Sequence, residues 1–325
     1  MDFLSKIKSA GIIVKENEPL APYTTFYLGG PARYLALVNS EEQIKLAVGL
    51  AVKNKIPLFI LGGGSNLLIS DAGFAGLVIK INLSFWKIKG QIMECGAGLP
   101  LSKAMGRSLG SGLLGLEWAA GIPGTIGGSI AGNAGAYGGE ISQSVTSVRV
   151  LRQGKIKVME NKDCDFSYRS SVFKKVDNQS VIMAAILKLR QADNLAETIL
   201  AKEKIRKIIK ERDKKFFSAS AGSVFKNVVM TAAEAARFKE KFCQLPDECV
   251  NYQKIPAAWL IEQCGLKGKS LGGAMVSPNH AGIIVNNGGA MAADVKSLIE
   301  LIKREVKSKF DLELEEEIRE VGYNF

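Results

Sequence analysis

The sequence predicts an α+β chain divided into two domains, and three observations lead there. Its 325 residues exceed the roughly 100 to 150 of a usual single domain. Short apolar strands alternate with capped helices along the first half, and a long basic helix after Asp193 marks a boundary, giving regions 1–190 and 200–325. Glycine, 34 residues in all, gathers in apolar stretches where a packed helix has no use for it.

Taken in order, Ser40, Glu41, Glu42 and Gln43 read as a capping box opening a helix to Lys53, and residues 56–61 as a buried strand. That strand breaks into Gly62, Gly63 and Gly64, followed by Ser65 and Asn66. Strands are expected at 76–81 and 92–95, and a helix at 100–110. Residues 121–139 are too glycine-rich for an ordinary core helix. Strands resume at 145–151 and 181–189, Asp193 caps the long helix to about Lys215, and the second region carries a helix at 256–264, a strand at 280–285 and a helix at 293–309.

Composition narrows the function. With 47% hydrophobic and 23% charged residues the chain can offset the entropy of folding, which excludes a mostly disordered protein. A net charge of +11 favours anionic ligands, but the cations of 202–215 read as a solvated helix face, so nucleic acid is not the expected partner. Five cysteines without a CxxC pair suggest neither a disulfide framework nor a zinc site. One histidine, His280, excludes a multi-histidine metal centre, and no metal is expected. Neither a leader peptide nor an apolar run long enough to span a membrane is visible, which points to the cytoplasm.

Two familiar nucleotide motifs fail. Gly110 to Gly115 satisfies GxGxxG but follows a helical segment rather than a strand, and the phosphate-loop ending Gly268-Lys269-Ser270 has Gln263 where its first glycine should stand. The triple glycine at 62–64 is more informative, because unobstructed amides can curl around a diphosphate while Ser65 and Asn66 add donors. Taken alone it is more often a turn. Thr125, Ser129 and Asn133 are the polar side chains singled out in the second glycine segment, which suits a flat, uncharged ring.

The stretches 24–32, 61–68, 121–128 (Gly-Ile-Pro-Gly-Thr-Ile-Gly-Gly) and 133–138 (Asn-Ala-Gly-Ala-Tyr-Gly) resemble, in order and spacing, the flavin-binding half of UDP-N-acetylenolpyruvoylglucosamine reductases. Similar glycine segments occur in the wider vanillyl-alcohol-oxidase-like flavoproteins, so this half alone implies FAD and leaves the substrate open. The stretches 164–170, 221–227, 258–264 and 314–319 each resemble a motif of the reductase, and the matches run from about residue 20 to 322. Val228 and Glu316 depart from it, standing where the family usually has proline.

The resemblance implies an FAD-binding region of two small α/β subdomains followed by an α+β substrate-binding domain. It implies non-covalent FAD at Leu61, Gly62, Gly63, Gly64, Ser65, Asn66, Ile122, Pro123, Gly124, Gly127, Gly128, Asn133 and Gly135. Tyr168, Lys226, Asn227 and His280 are placed by it on the nucleotide sugar. NADPH is the implied reductant and UDP-N-acetylglucosamine enolpyruvate the implied substrate, reduced to UDP-N-acetylmuramate for peptidoglycan. Ser223 is implied as proton donor, with Arg169 and Glu317 beside the substrate carboxylate. Glu317 is expected partly buried and protonated, and Glu316 a near-neutral neighbour. Singly, Arg169 reads as a surface ion pair, Ser223 as a cap and Glu317 as a solvated acid. A related oxygen-using FAD enzyme and a nucleic-acid-binding protein stand as the alternatives.

Overall fold

The computed structural model describes residues 3–175, 180–215 and 219–323. The chain forms two compact units, and they are not a simple halving of the sequence: the second takes Leu20–Gly30 and Ser65–Gly73 together with the chain from Lys215, and the first takes the rest. The sequence-based division at 190 and 200 thus misses two early segments and cuts into the long helix Leu195–Lys215, which belongs with the first unit up to Lys214.

Two larger sheets lie in the first unit. In the four-stranded one, Ile13–Pro19 pairs antiparallel with Pro31–Val38, while Phe74–Ile81 lies parallel to both Pro31–Val38 and Leu58–Leu61. The helix Glu41–Lys53 starts as its capping residues dictate: the Ser40 hydroxyl accepts from the Gln43 N–H at 3.2 Å, and the Asn39 N–H donates to Gln43 Oε1 at 2.8 Å. It turns Ile44, Ala47, Leu50 and Ala51 inward, at the helical spacing that buries one stripe.

The second sheet is antiparallel, in the order Lys155–Glu160, Val145–Arg152, Val181–Lys188, Ile92–Gly96 and Trp86–Lys89. Val148, Val150, Met183, Ala185, Leu187, Met93 and Cys95 supply its buried positions. Arg149 ties the sheet to the helix Glu41–Lys53, reaching Glu41 at 2.7 Å and, within its own sheet, Glu94 at 3.3 Å.

The helix Leu195–Lys215 is capped by Asn194, not by the Asp193 that the sequence suggested: the Glu197 N–H donates to Asn194 Oδ1 at 3.0 Å. Its basic face is not wholly solvated either, because Arg212 Nε donates to the Gly121 carbonyl at 3.1 Å. The glycine stretch after residue 120 also contains a helix the sequence did not predict, Ile126–Ala131, with Thr125 as its cap.

In the second unit, Ser220–Ser223, Ile283–Asn286, Ala274–Val276 and Ser270–Leu271 form an antiparallel sheet, with the helix Ala292–Phe310 packed beside it. Phe310 closes an aromatic group with Phe238, Phe242 and Trp259, centroids 4.8 to 6.0 Å from its own. Definite bonds recruit the two early segments. Thr25 exchanges hydrogen bonds with Ser220 at 2.7 and 3.1 Å, and the strand Leu67–Ile69 lies parallel to Arg319–Val321.

Asp71, from the second early segment, accepts from the Ala292 and Ala293 N–H groups at 2.8 and 3.0 Å, so a carboxylate distant in sequence caps the long C-terminal helix. Replacing Asp71 by Ala leaves both amides without that partner. Urea unfolding of Asp71→Ala is expected to show a loss of about 1 to 2 kcal/mol, and an unchanged midpoint would remove this role from the carboxylate.

Candidate functional site

The strand Leu58–Leu61 ends with Leu61 fully buried, and the chain then opens into Gly62, Gly63 and Gly64, the last at φ +66°. A Cβ built on Gly63 would stand 2.7 Å from the Gly124 Cα, and one on Gly62 would stand 2.9 Å from the Thr125 hydroxyl. The two glycine segments, some sixty residues apart, are therefore in backbone contact. Gly127, in turn, lies where a Cβ would meet that of Ala97 at 2.9 Å, and its N–H donates to the Ala97 carbonyl at 2.8 Å. The unpredicted helix accommodates glycine because it packs this closely.

This contact leaves a surface of bare backbone. Among the described residues, the Gly63 and Gly64 N–H groups make no backbone hydrogen bond. Ile122 is half-buried and Pro123 exposed on the turn leading into Gly124, whose φ of +130° only glycine adopts freely. Gly128 is exposed, its N–H turned back to the Thr125 hydroxyl at 3.3 Å. Free donors at one turn and an uncharged glycine surface beside it fit a dinucleotide with a diphosphate and a flat ring.

Three residues expected on the flavin make contacts within the protein. Asn133 is fully buried at φ +42°, its amide donating to the Ser167 carbonyl at 2.9 Å and its oxygen accepting from the Ser142 N–H at 3.3 Å. Gly135 pairs within a hairpin, where a Cβ would meet the Gly139 carbonyl at 2.6 Å. Asn66 belongs to the second unit, where its amide donates to the Glu317 carbonyl at 3.0 Å. Ser65 also belongs to that unit.

What Asn133 holds is a turn with Tyr168 and Arg169 at its tip. Ser167 and Ser170 exchange backbone bonds of 3.0 Å across it, and Arg169 sits at φ +57°, a conformation unusual for a residue with a side chain. The guanidinium lies 5.4 Å from the Tyr168 ring centre, and Lys174 Nζ donates to the Arg169 carbonyl at 3.1 Å. Arginine in a strained, doubly tethered turn is pre-aimed rather than free to wander.

In the second unit the segment around Ser223 runs between two others. Val224 donates its N–H to the Gly282 carbonyl at 2.9 Å, and its carbonyl accepts from the Glu317 N–H at 2.7 Å. The chain segments of Ser223 and Glu317 thus run side by side, with His280 just before the strand Ile283–Asn286, in a turn closed by the Ile283 N–H on its carbonyl at 3.0 Å. The strand expected from residue 280 thus begins three residues later.

The acidic run separates by contact. Glu313 is 85% exposed, and Glu315, 73% exposed, pairs with Lys226. The ammonium expected on substrate therefore rests on a carboxylate here. Glu316 is only 17% exposed and pairs with Lys303. Glu317 is half-buried, its backbone held by Val224 and Asn66. Asn227 accepts from the Ala257 N–H at 3.2 Å, at the start of the helix Ala257–Gln263.

Burial pushes the Cys95 thiol up to about 12 and the Cys164 thiol up to about 11. Neither offers a thiolate. Among the described residues no group of ligands suits a metal ion, and no helix is long and apolar enough to cross a membrane.

Fold and glycine surface together define an FAD-binding oxidoreductase, and an FAD binding domain family matches residues 32–159. The family described as UDP-N-acetylenolpyruvoylglucosamine reductase, C-terminal domain, matches residues 213–321. Proteins of that reductase name from Bacillus velezensis and Lactobacillus acidophilus are each 37% identical to this chain, over 96% of it and 95% of the first protein, and over 98% of it and 98% of the second. The crystal structure of the reductase from Thermus caldophilus aligns at a TM-score of 0.73 and 29% identity, covering 95% of this chain and 98% of that one. The chain belongs to the UDP-N-acetylenolpyruvoylglucosamine reductase family, flavoenzymes of peptidoglycan precursor synthesis that use FAD and NADPH.

The contact between glycine segments has a direct test. Gly63→Ala drives a methyl into the Gly124 backbone and is expected to lower stability by about 1 to 3 kcal/mol. Gly106→Ala, in the helix Leu101–Gly110 where a Cβ meets nothing within 4 Å, is expected to raise it by about 0.5 to 1 kcal/mol. Denaturant curves in which the two alanines shift stability alike would contradict the contact.

Proposed function

We propose that this chain reduces UDP-N-acetylglucosamine enolpyruvate to UDP-N-acetylmuramate at the expense of NADPH, with Ser223 as proton donor, Arg169 and Glu317 on the substrate carboxylate, and FAD held without a covalent bond. The observation that carries the reading is the Val224 carbonyl, which holds the Glu317 N–H while Ser223 stands one residue away. A proton donor and a carboxyl group in fixed register suit an alkene that must gain hydrogen at two carbons. The chemistry supplied by bound FAD is hydride transfer, from NADPH to one vinyl carbon.

Each residue then has a share. The Ser223 hydroxyl gives its proton to the other vinyl carbon. As hydride arrives, the carboxylate gains enolate character, and the fork of Arg169 offers paired N–H donors to its two oxygens. Glu317, if protonated, donates a third hydrogen bond to that growing charge. Asn133 acts one step back, holding the turn that aims Arg169. Lys226 and His280 are assigned to the diphosphate and nucleotide, Lys226 exchanging Glu315 for the anion. Tyr168 and Asn227 are assigned to the same ligand.

Non-covalent flavin agrees with the burial of Cys95 and Cys164 as small apolar residues. The regions 1–190 and 200–325 are proposed as chiefly FAD-binding and substrate-binding. No tyrosine stands between Arg169 and Ser223, which supports the form of the family without an inserted tyrosine loop; that interval includes residues 176–179 and 216–218, outside those described. A cytoplasmic site of action, and small nucleotides in place of nucleic acid, follow from the same reading.

Stopped-flow separation of the two half-reactions tests it. Ser223→Ala is expected to keep reduction of the flavin by NADPH and to slow its reoxidation by the enolpyruvyl substrate by about 10² to 10⁴. Glu317→Gln is expected to show the same asymmetry, while Glu316→Gln loses the Lys303 pair and costs stability without slowing the substrate step. Equal slowing of both half-reactions by Ser223→Ala, or equal effects of the two glutamine variants, would overturn these assignments.

A further inference from the structure

Lys80 stands near the end of the strand Phe74–Ile81, in register with Leu61 of the neighbouring parallel strand. One residue beyond Leu61 the glycine turn begins, and the Lys80 ammonium donates to the Gly62 carbonyl. The side chain shares its face of the strand with the fully buried Val78, and burial pulls the lysine below its ordinary range. Among the described residues no carboxylate pairs with it.

A half-buried cation held by one neutral carbonyl is a poor stabiliser of a fold, since its desolvation is not offset by an opposite charge. A neutral amide would satisfy Gly62 at less cost. The peptide geometry supplies a reason for the charge. In a trans peptide the carbonyl and the following N–H point in opposite directions, so fixing the Gly62 carbonyl on Lys80 turns the Gly63 N–H to the far side. That N–H makes no backbone hydrogen bond among the described residues. A cation on the carbonyl also polarises the peptide and strengthens its N–H as a donor.

We propose that Lys80 is a positioning residue for the diphosphate of FAD: it pins the Gly62–Gly63 peptide so that the Gly63 N–H faces the anion, and its charge balances the anion that the turn receives. The inference rests on the reading that FAD binds at this turn, and it adds a charge that neither glycine segment contains.

The test compares wild type with Lys80→Gln, which keeps an N–H donor without the charge, and with Lys80→Arg, which keeps both. The full chain is stripped of flavin, FAD is titrated back by quenching of its fluorescence, and thermal midpoints are read with and without FAD. For Lys80→Gln the FAD dissociation constant is expected to rise about 10- to 100-fold, as one positive charge facing the diphosphate across a half-buried turn is lost. Its flavin-free midpoint is expected to stay level or rise, because an unbalanced buried charge has been removed. Lys80→Arg is expected to recover most of the affinity. Unchanged affinity in Lys80→Gln, or a fall in affinity matched by a fall in the flavin-free midpoint, would overturn the proposal, as would an arginine variant no better than glutamine. A wild-type chain that takes up no FAD at all would instead defeat the cofactor reading beneath it.

Discussion

Two stretches of backbone can share one surface only if neither carries a side chain where they meet. That constraint governs the first unit. Gly63 against Gly124, Gly62 against Thr125 and Gly127 against Ala97 bring the segment 124–127 into contact with two others. What surrounds the contact reads as its support: Lys80 holds the Gly62 carbonyl, Arg212 holds the Gly121 carbonyl, and Thr125 caps the short helix that carries Gly127 and Gly128. The amides left over at the first turn are the ones available to a ligand.

The second unit solves a different problem, the selection of one acid from several. Charge alone cannot distinguish Glu313, Glu315, Glu316 and Glu317. Their partners do: Lys226 draws Glu315, Lys303 draws Glu316, and the Val224 carbonyl together with the Asn66 amide fixes the backbone of Glu317. Asn66 stands two residues after Gly64 in sequence, yet its side chain serves the segment of the proposed catalytic acid. Asn133 has a similar dual history, lying in a glycine motif while it anchors the turn that bears Arg169.

Much of this was legible beforehand. Local patterns found the helices at Glu41–Lys53, Leu101–Gly110 and Ala292–Phe310 within a residue or so, because capping residues and apolar periodicity are local properties. Motif order found the family. What escaped were roles set by distant partners. Nothing near Asp71 announces that it caps a helix starting at Ala292, and nothing near Lys80 or Arg212 marks either as a clamp on a glycine carbonyl. The helix Ile126–Ala131 escaped because glycine's low helix propensity is outweighed by a packing distance that only glycine permits. Asp193 and Asn194 are adjacent and equally plausible caps, so propensity could not choose between them.

The central claim is that the joined glycine segments bind FAD by contacts alone. The most direct measurement is the visible absorption spectrum of the purified chain, followed by acid precipitation and mass analysis of what is released. The account predicts a yellow protein whose flavin passes entirely into the supernatant with the mass of FAD. A colourless protein that stays colourless after incubation with FAD, or flavin that remains bonded to the precipitated chain, would contradict it.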